Sequence, residues 1–313
     1  MRPVGQTIMI KVVTKELIES SIGFPVDKDI ADRIEREQVS YEKMNEKDFL
    51  DFMFKFSVVL ESDLKVAGEH RKGDWENGWG ENLKEMSEGG QYEQLIPKYH
   101  TKSSLSRINS APVKTFAKDF DYRVNSYFVD AAIYHYRAGI PKIVEFGCGT
   151  GYHLFRLASA LPEHKYVGLD WAESSQKTIE KFATEQGYEN VRGENFNYFS
   201  PNYNFDCSGA LVYTVASLEQ IGDKFKPFVD YLLAQKPAVV VNFEPMSEFL
   251  DSGSYLDALT IEYFEKRGYL KGYFNYLRQL ESEDKIEIIH SKRIGYGSEF
   301  VEGHSLVVWR PKA

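Results

Sequence analysis

The order of hydrophobic and polar positions divides the chain into two segments. Residues 1–139 have the periodicity of helices joined by polar loops. Residues 140–313 instead show short apolar runs that alternate with helix-length stretches. We therefore predict a mainly helical N-terminal extension, or cap, over residues 1–139 and a second domain over residues 140–313.

Three stretches define the extension. Residues 46–64 and 120–138 each place apolar side chains on one helical face, which predicts two packed helices. The residues on these faces are Phe49, Phe52, Met53, Phe56 and Val59, and then Val124, Tyr127, Phe128, Ala131 and Tyr134. Residues 72–91 are rich in Gly, Glu, Asn and Trp, which predicts a loop or a short helix between loops. The WENGWGENL part of this stretch is a candidate lid with inward-facing tryptophans.

Seven apolar runs in the second segment predict strands. They are Lys142–Phe146, Lys165–Leu169, Asn190–Glu194, Phe205–Tyr213, Ala238–Asn242, Lys285–His290 and Ser305–Trp309. Helix-length segments separate the first five, and a long helix is predicted over Tyr255–Ser282. The last two runs have no helix between them and predict an antiparallel pair at one edge. The pattern predicts an α/β fold with a Rossmann-like, doubly wound, mostly parallel seven-stranded sheet and an antiparallel last strand.

Composition disfavours several classes of partner. The net charge of −9 gives no cationic surface for nucleic acid. No apolar run is long enough to cross a bilayer, and the first thirteen residues lack the pattern of a secretion signal. The two cysteines are too few for a disulfide framework. We expect a cytoplasmic protein without nucleic-acid or membrane partners; its oligomeric state is not readable from the sequence.

The most informative segment is VEFGCGTG, residues 144–151, between a predicted strand and a predicted helix. Its glycines allow a sharp turn and a close approach of the backbone to a ligand. The dinucleotide pattern G-x-G-x-x-G requires a glycine at position 152, where this chain has Tyr152. Glu145 at the strand end suits a cationic amino-acid group better than a pyrophosphate. A nicotinamide oxidoreductase is therefore disfavoured.

A second acid follows at the end of the next strand. Asp170, in VGLDW, lies nineteen positions after Gly151. A carboxylate there can accept hydrogen bonds from both ribose hydroxyls of a nucleoside that lies across the strand ends. The acid alone suits several nucleosides, but together with the glycine spacing it favours S-adenosylmethionine.

VEFGCGTG followed by VGLDWAESS resembles the first two motifs of the class I S-adenosylmethionine-dependent methyltransferases. The resemblance covers about residues 141–313 and implies S-adenosylmethionine as the cofactor. It implies that the methionine part of the cofactor is held by Glu145, Gly147, Gly149 and Gly151. It also implies that Asp170 binds the ribose and that Trp171 lies beside the adenine.

The later motifs depart from the family pattern. Where the family has Gly-x-Asp, this chain has Gly193-Glu194-Asn195, so that Asn195 would contact the adenine amine as a neutral acceptor. Phe196 is the candidate to pack on the purine. In the segment YTVASLEQI, Gln220 takes the place of a family histidine, which weakens any mechanism that depends on that histidine.

Methyl transfer needs a base only when the acceptor loses a proton as it attacks. The predicted carboxyl ends of the strands carry three candidates: Glu219, Glu244 and His153. His290 and His304 are weaker choices near the last two strands. No set of His and carboxylate side chains has metal-ligand spacing, so no metal is predicted.

Two arginines of the extension, Arg107 and Arg123, are candidates for the methionine carboxylate. A weaker resemblance, carried by LIPKY, LEQI, NFEP and EGHSLVVWRP, is to bacterial methyltransferases proposed to act on sugars. The leading hypothesis is an O-methyltransferase for a small-molecule or glycan hydroxyl. The alternatives are an N- or C-directed methyltransferase and a non-catalytic S-adenosylmethionine-binding regulatory subunit.

Overall fold

A computed structural model describes residues 10–86, 90–101 and 104–312. Residues 1–9, where we looked for a secretion signal, lie outside the described ranges, as do residues 87–89 of the stretch 72–91. None of the described helices has the length and apolar character needed to cross a membrane.

Eleven strands within the described ranges form one sheet. They are β1 (Ile10–Val12), β2 (Ser40–Lys43), β3 (Leu105–Ile108), β4 (Ala111–Thr115), β5 (Lys142–Phe146), β6 (Lys165–Asp170), β7 (Val191–Asn195), β8 (Leu211–Val215), β9 (Val239–Glu244), β10 (Ile286–Ser298) and β11 (His304–Pro311). Their order across the sheet is β1-β2-β4-β3-β10-β11-β9-β8-β5-β6-β7. The predicted α/β class is confirmed, but the sheet has four more strands than predicted.

Ten α-helices accompany the described strands. They are α1 (Lys15–Ile22), α2 (Lys28–Glu37), α3 (Glu46–Leu60), α4 (Lys72–Met86), α5 (Phe120–Tyr136), α6 (Tyr152–Ala160), α7 (Glu173–Gln186), α8 (Lys226–Gln235), α9 (Tyr255–Arg267) and α10 (Tyr273–Ser282). Short 3-10 helices occur at Glu69–Arg71, Tyr92–Leu95, Lys98–Thr101, Leu218–Ile221 and Ser247–Phe249.

Strand direction changes near the middle of the sheet. The strands β7, β6, β5, β8 and β9 pair in parallel, whereas β11 runs antiparallel to both β9 and β10. The antiparallel pair β10 and β11 is therefore present, but its predicted position at an edge is wrong. The end of β10 pairs with β3, so that Gly297 lies opposite Arg107 and Ser298 opposite Ser106.

The four additional strands belong to the extension, which is therefore not purely helical. They are only three to five residues long, and their mixed side chains give little periodicity. The clearest local signal is the tight turn between β3 and β4, where Asn109 and Ser110 have φ values of +51° and +60°. Two successive positive φ values are the geometry of a type I′ hairpin, and Asn is one of the residues that favour it.

Two helix predictions need correction. The predicted helix Tyr255–Ser282 is broken into α9 and α10, because Gly268 and Gly272 take left-handed conformations with φ of +61° and +81°. The stretch 72–91, predicted as a loop or a short helix, contains the fifteen-residue helix α4. Its glycines lower helix propensity, but Trp79 and Met86 are buried and supply the packing that holds the helix together.

The helix predicted over residues 46–64 corresponds to α3. Phe52, Met53 and Phe56 are buried as expected, whereas Phe49 is exposed. The helix predicted over residues 120–138 corresponds to α5, which is buried over most of its length.

A hydrophobic core covers each face of the central strands. The larger core joins side chains of both predicted segments, such as Ile18 and Phe128 of the extension with Ile143 and Val241 of the sheet. The second core packs Phe146 and Trp309 against helices α8 and α10. Because the larger core is common to both segments, the extension packs against one face of the sheet.

Candidate cofactor site

The glycine turn between β5 and α6 has the backbone conformation that its sequence predicts. Gly147, Gly149 and Gly151 have φ values of +71°, +54° and +78°, a region that side chains with a Cβ adopt only with strain. Each glycine also lies close to a neighbour. A Cβ on Gly147 would lie 2.3 Å from Ser217 Cβ, and one on Gly149 would lie 2.8 Å from Trp79 Cζ2. The turn therefore needs glycine for both conformation and space.

A cavity opens over this turn. Its wall contains seven aromatic side chains, namely Trp75, Trp79, Tyr99, Tyr152, Trp171, Phe196 and Tyr198. Its polar side chains are Glu145, His153, Asp170, Ser217 and Gln220, and Cys148 also lies in the wall. The cavity thus combines apolar rings with a few convergent polar groups, as small-molecule sites commonly do.

Asp170 stands at the end of β6, with one carboxylate oxygen directed at the glycine turn and the other at the backbone that follows β6. Its Oδ2 accepts a hydrogen bond of 2.9 Å from the Gly149 N–H, and its Oδ1 accepts one of 3.0 Å from the Ala172 N–H. Burial raises the pKa of this carboxyl to about 6. Each oxygen retains a lone pair, so that Asp170 can anchor the turn and accept hydrogen bonds from a ligand at the same time.

Glu145 lies at the end of β5 and is buried. One oxygen lies 2.7 Å from His153 Nδ1, and the other accepts a hydrogen bond of 2.9 Å from the Tyr213 hydroxyl. Burial raises the pKa of Glu145 to about 8 and lowers the pKa of His153. The carboxyl that the sequence assigns to the ligand's amino group therefore also holds the His153 ring in place.

The aromatic side chains predicted beside the adenine lie in the cavity wall, but Asn195 does not. Phe196 packs edge-on against Phe146 at 4.7 Å between ring centroids, and Trp171 stacks on Phe199 at 5.9 Å. Asn195 is exposed, and its Nδ2 donates to the Trp171 carbonyl at 3.1 Å. Its amide braces the backbone beside the cavity instead of contacting a ligand.

Arg107 is not at the site. It is fully buried in β3, where its Nη1 donates to Thr260 Oγ1 at 2.9 Å. Pairing of β3 with β10 turns this side chain toward the packing of α3 and α9, away from the cavity. Arg123 is also elsewhere, because its Nε pairs with Asp119 at 2.7 Å on helix α5. The predicted carboxylate contacts by these two arginines are wrong.

Of the three catalytic candidates, His153 is the one in the cavity wall. Glu244 is buried behind it, where its oxygens accept hydrogen bonds from the Ser217 and Glu219 N–H groups at 3.1 and 3.3 Å. Glu244 thereby fixes the turn after β8. The half-buried Glu219 accepts a hydrogen bond of 2.8 Å from Gln220 Nε2. Burial, followed by repulsion from Glu244, raises the pKa of Glu219 to about 8.

The two weaker histidine candidates lie outside the cavity wall. The Nε2 atom of His290 lies 2.7 Å from the Ile22 carbonyl, in the extension. His304 is buried beside Phe243 and Tyr296, and burial lowers its pKa to about 3. These contacts suit structural roles for both rings.

The extension supplies wall residues that the sequence did not assign individually. Trp75 and Trp79 of α4 stack at 5.6 Å and face the cavity, as the lid hypothesis for this stretch predicts. Tyr99 comes from the LIPKY segment, which the sequence singled out only for its resemblance to other proteins. The sequence signal for these wall residues was the richness of two segments in aromatic residues. Both segments are far from the glycine turn in the sequence, and only tertiary packing brings them to it.

Helix α4 crosses the cavity and is attached on both sides. Near its start, Arg71 Nη1 donates to Gln220 Oε1 at 3.1 Å. Further along, Glu76 Oε1 accepts a hydrogen bond of 3.0 Å from the Ser174 N–H at the start of α7. The tryptophans of α4 therefore form the roof of the cavity.

Comparisons with known proteins give matches in structure alone. No protein-family model matches the chain, and no curated protein sequence matches it. Similar solved structures include the methyltransferase domain of bacterial CtHen1, with 14% identity, a TM-score of 0.46, and coverage of 60% of this chain and 98% of that one. The O-methyltransferase NcsB1 from neocarzinostatin biosynthesis, crystallised with S-adenosylmethionine, has 13% identity, a TM-score of 0.42, and coverages of 77% and 70%.

A third similar structure is the [4+2]-cyclase SpnF, with 13% identity, a TM-score of 0.45, and coverages of 59% and 80%. At these identities the similarity concerns the fold alone, and the activities of these proteins are not transferred to this chain. The parallel strands, the antiparallel β11, the glycine turn and Asp170 are features of this chain itself. They give this chain the mostly parallel, Rossmann-like α/β arrangement that its sequence predicts over residues 140–313.

Proposed function

We propose that this chain is an S-adenosylmethionine-dependent methyltransferase that acts on a hydroxyl group of a small molecule or glycan. The observation that carries the proposal is the cavity itself. It brings together the glycine turn, the acid at the end of β6 and a wall of aromatic rings. Nucleic acid is not proposed as the acceptor, because the chain carries a net charge of −9.

The residues of the cavity fit the parts of the cofactor. The remaining lone pairs of Asp170, which lines the cavity, suit the ribose hydroxyls, and the rings of Trp171 and Phe196 suit the adenine. Gly147, Gly149 and Gly151 leave room for the methionine part against the backbone of the turn. Glu145 lies in the wall beside this part, where its carboxyl oxygens can accept hydrogen bonds from the amino group.

Bound S-adenosylmethionine supplies an activated methyl group for an in-line displacement. The chain's own contribution is to hold the acceptor in line and to exclude water. Trp75 and Trp79 close the cavity from above, while Tyr99 and Tyr152 line its wall. These rings provide an apolar environment in which a nucleophilic oxygen is poorly hydrated.

A hydroxyl acceptor must lose its proton, and His153 is the proposed base. Burial favours its neutral form, and its Nδ1 faces the Glu145 carboxyl at 2.7 Å. When the proton between His153 and Glu145 is on Nδ1, the Nε2 atom of His153 has a free lone pair that can accept a proton. Nε2 has no hydrogen-bond partner among the described residues. Transfer to an amine or a carbon atom would depend less on this base. The effect of removing His153 therefore distinguishes the O-directed enzyme from the N- and C-directed alternatives.

A non-catalytic binding subunit is the alternative from a different class. Such a protein would keep the glycine turn but close the space for an acceptor. The cavity wall extends beyond the turn to Tyr99 and Gln220, which favours an enzyme.

Calorimetry with S-adenosylmethionine and with NAD tests the cofactor. We expect S-adenosylmethionine to bind and NAD to give no measurable heat. Binding of NAD without S-adenosylmethionine would refute the proposed function.

Methyl-labelled cofactor and a panel of hydroxylated small molecules, sugars, amines and thiols test the acceptor. With a hydroxyl acceptor, His153→Gln should lower kcat by about 10²- to 10⁴-fold, because a positioned base contributes that much. His290→Gln, at a histidine outside the cavity, should keep the wild-type rate. Transfer only to amines or thiols would refute the hydroxyl assignment.

A further inference from the structure

The charges around the cavity leave one end of the cofactor without a counter-charge. The acidic side chains Glu145 and Asp170 line the cavity, whereas none of its described wall residues is a lysine or arginine. S-adenosylmethionine carries a carboxylate as well as two cationic groups. Arg107 and Arg123, the arginines that the sequence offers for this carboxylate, lie elsewhere.

Arg71 is a cation that contacts two wall residues of this cavity, Gln220 and Trp75. It ends the 3-10 helix Glu69–Arg71, directly before α4, and only 13% of its side chain is exposed. Its Nη1 donates to Gln220 Oε1 at 3.1 Å, and its Nε lies 3.3 Å from Asp74 Oδ2. Gln220 is itself a wall residue, so that this contact fixes the guanidinium next to the cavity.

Trp75 adds a hydrogen-bond donor at the same place. Its ring lies in the cavity wall, and the Arg71 guanidinium is centred 5.2 Å from the ring centroid. The indole Nε1–H is buried and has no partner among the described residues. A buried N–H without an acceptor is unfavourable, which indicates that a ligand atom or water normally accepts from it.

We propose that Arg71 and the Trp75 indole N–H bind the carboxylate of the methionine part of S-adenosylmethionine, with Gln220 holding Arg71 in position. This inference rests on the proposed function, since it needs the cofactor in the cavity. A guanidinium and an N–H donor together match the two oxygens of a carboxylate. The same pair would hold S-adenosylhomocysteine, which has the same carboxylate.

Glu219 offers a competing explanation for Arg71. The positive charge of Arg71 lowers the pKa of Glu219, opposing the larger effect of burial. An arginine that served only to neutralise Glu219 would affect every ligand of the cavity alike. The carboxylate proposal instead predicts an effect confined to ligands that carry the carboxylate.

Calorimetry with S-adenosylmethionine and with decarboxylated S-adenosylmethionine separates the two explanations. Wild type should bind S-adenosylmethionine more tightly than the decarboxylated compound. Arg71→Gln should weaken S-adenosylmethionine at least about tenfold, the loss expected for a charge-assisted hydrogen bond, and leave the decarboxylated compound nearly unchanged. Trp75→Phe, which removes the N–H and keeps the stacking ring, should act in the same direction. Arg278→Gln, at an exposed arginine of α10, is the matched control and should change neither affinity.

The outcomes are distinct. Equal weakening of both ligands by Arg71→Gln would overturn the inference and leave Arg71 as a structural partner of Glu219. Unchanged binding of S-adenosylmethionine to both Arg71→Gln and Trp75→Phe would also overturn it, while the proposed function would stand. Failure of wild type to bind either ligand would instead overturn the proposed function, and this inference with it.

Discussion

Asp170 combines a structural and a ligand-binding position in one side chain. Its oxygens already accept from the Gly149 and Ala172 N–H groups. Removing the whole carboxylate would therefore loosen the turn as well as the ribose contact. Asparagine keeps the shape of the side chain, but its amide nitrogen cannot accept from a backbone N–H, so the stability of the folded variant has to be measured together with its ligand affinity.

Asp170→Asn should weaken binding of S-adenosylhomocysteine by about 1–3 kcal/mol, because the amide nitrogen cannot accept from a ribose hydroxyl. Calorimetry measures the change. Glu173→Gln, at an exposed acid three residues away on α7, should bind like wild type. Unchanged affinity in a folded Asp170→Asn variant would remove Asp170 from the site.

Gly149→Ala tests the contact between the glycine turn and the roof. Alanine at this position meets both a left-handed backbone and the Trp79 ring, whereas Gly187→Ala meets a left-handed backbone with nothing within 4 Å. Both variants should lose about 1–2 kcal/mol of stability from backbone strain. Only Gly149→Ala should also change tryptophan fluorescence and cofactor affinity. If the two variants have the same tryptophan fluorescence and the same cofactor affinity, the contact between Gly149 and Trp79 does not contribute to cofactor binding.

The parts of the site that follow from local sequence were predictable, and those that depend on distant pairing were not. The glycine conformation and Asp170 follow from short motifs beside a strand. The position of Arg107 depends on pairing between β3 and β10, residues about 190 positions apart in the chain. A buried arginine and a ligand-binding arginine look alike in sequence until that pairing is known.

At the scale of elements, α4 is the part whose behaviour should depend most on the cofactor. Arg71, directly before this helix, contacts Gln220, Glu76 within the helix contacts Ser174, and the tryptophans of the helix cover the cavity. The low helix propensity of its glycines means that these attachments and the buried rings maintain it. A ligand beneath the roof adds contacts that opening of α4 would break.

Hydrogen exchange should therefore slow over residues 72–86 when S-adenosylhomocysteine is added. With ligand at about 100 times its Kd, an opening that requires release should become up to about 100-fold rarer. Helix α10 has no residue in the cavity wall and serves as the internal reference. Equal protection of α4 and α10 would indicate a global effect and contradict the role of α4 as a roof.

The division of the long predicted helix into α9 and α10 shows the limit of periodicity at this scale. Apolar spacing continues through residues 255–282, but Gly268 lies against Val66, where a Cβ would approach Cγ1 to 2.9 Å. That neighbour comes from the extension, so the break depends on tertiary contact as well as on local sequence. The alternation of strands and helices and most strand positions were predictable, because each buried strand is a short run of apolar residues that can be recognised in the sequence.

At the scale of the whole molecule, buried acids make stability depend on pH. Burial raises the pKa of Glu145 and Glu219 to about 8 and that of Glu244 to about 7. A raised pKa means that the folded state holds the proton more tightly than the unfolded state. The resulting stabilisation is complete at low pH, below the ordinary value near 4.5, and is lost as the pH rises toward 8.

Glu219→Gln should therefore stabilise the ligand-free protein more at pH 8 than at pH 5. Chemical unfolding at the two pH values gives the free energy of unfolding for each variant. Glu180→Gln, at an exposed acid of α7, should show no such pH dependence. If the free energies of unfolding of wild type and Glu219→Gln differ by the same amount at both pH values, the raised pKa of Glu219 is contradicted.

The aromatic roof also gives the molecule an intrinsic optical reporter. Three of its four tryptophans, Trp75, Trp79 and Trp171, lie in the cavity wall, and the fourth, Trp309, is fully buried in the core. Most of the emission of the native protein should therefore come from rings that any occupant of the cavity would touch. Unlabelled candidate acceptors and cofactor analogues can consequently be screened by fluorescence alone, before any reaction has been identified.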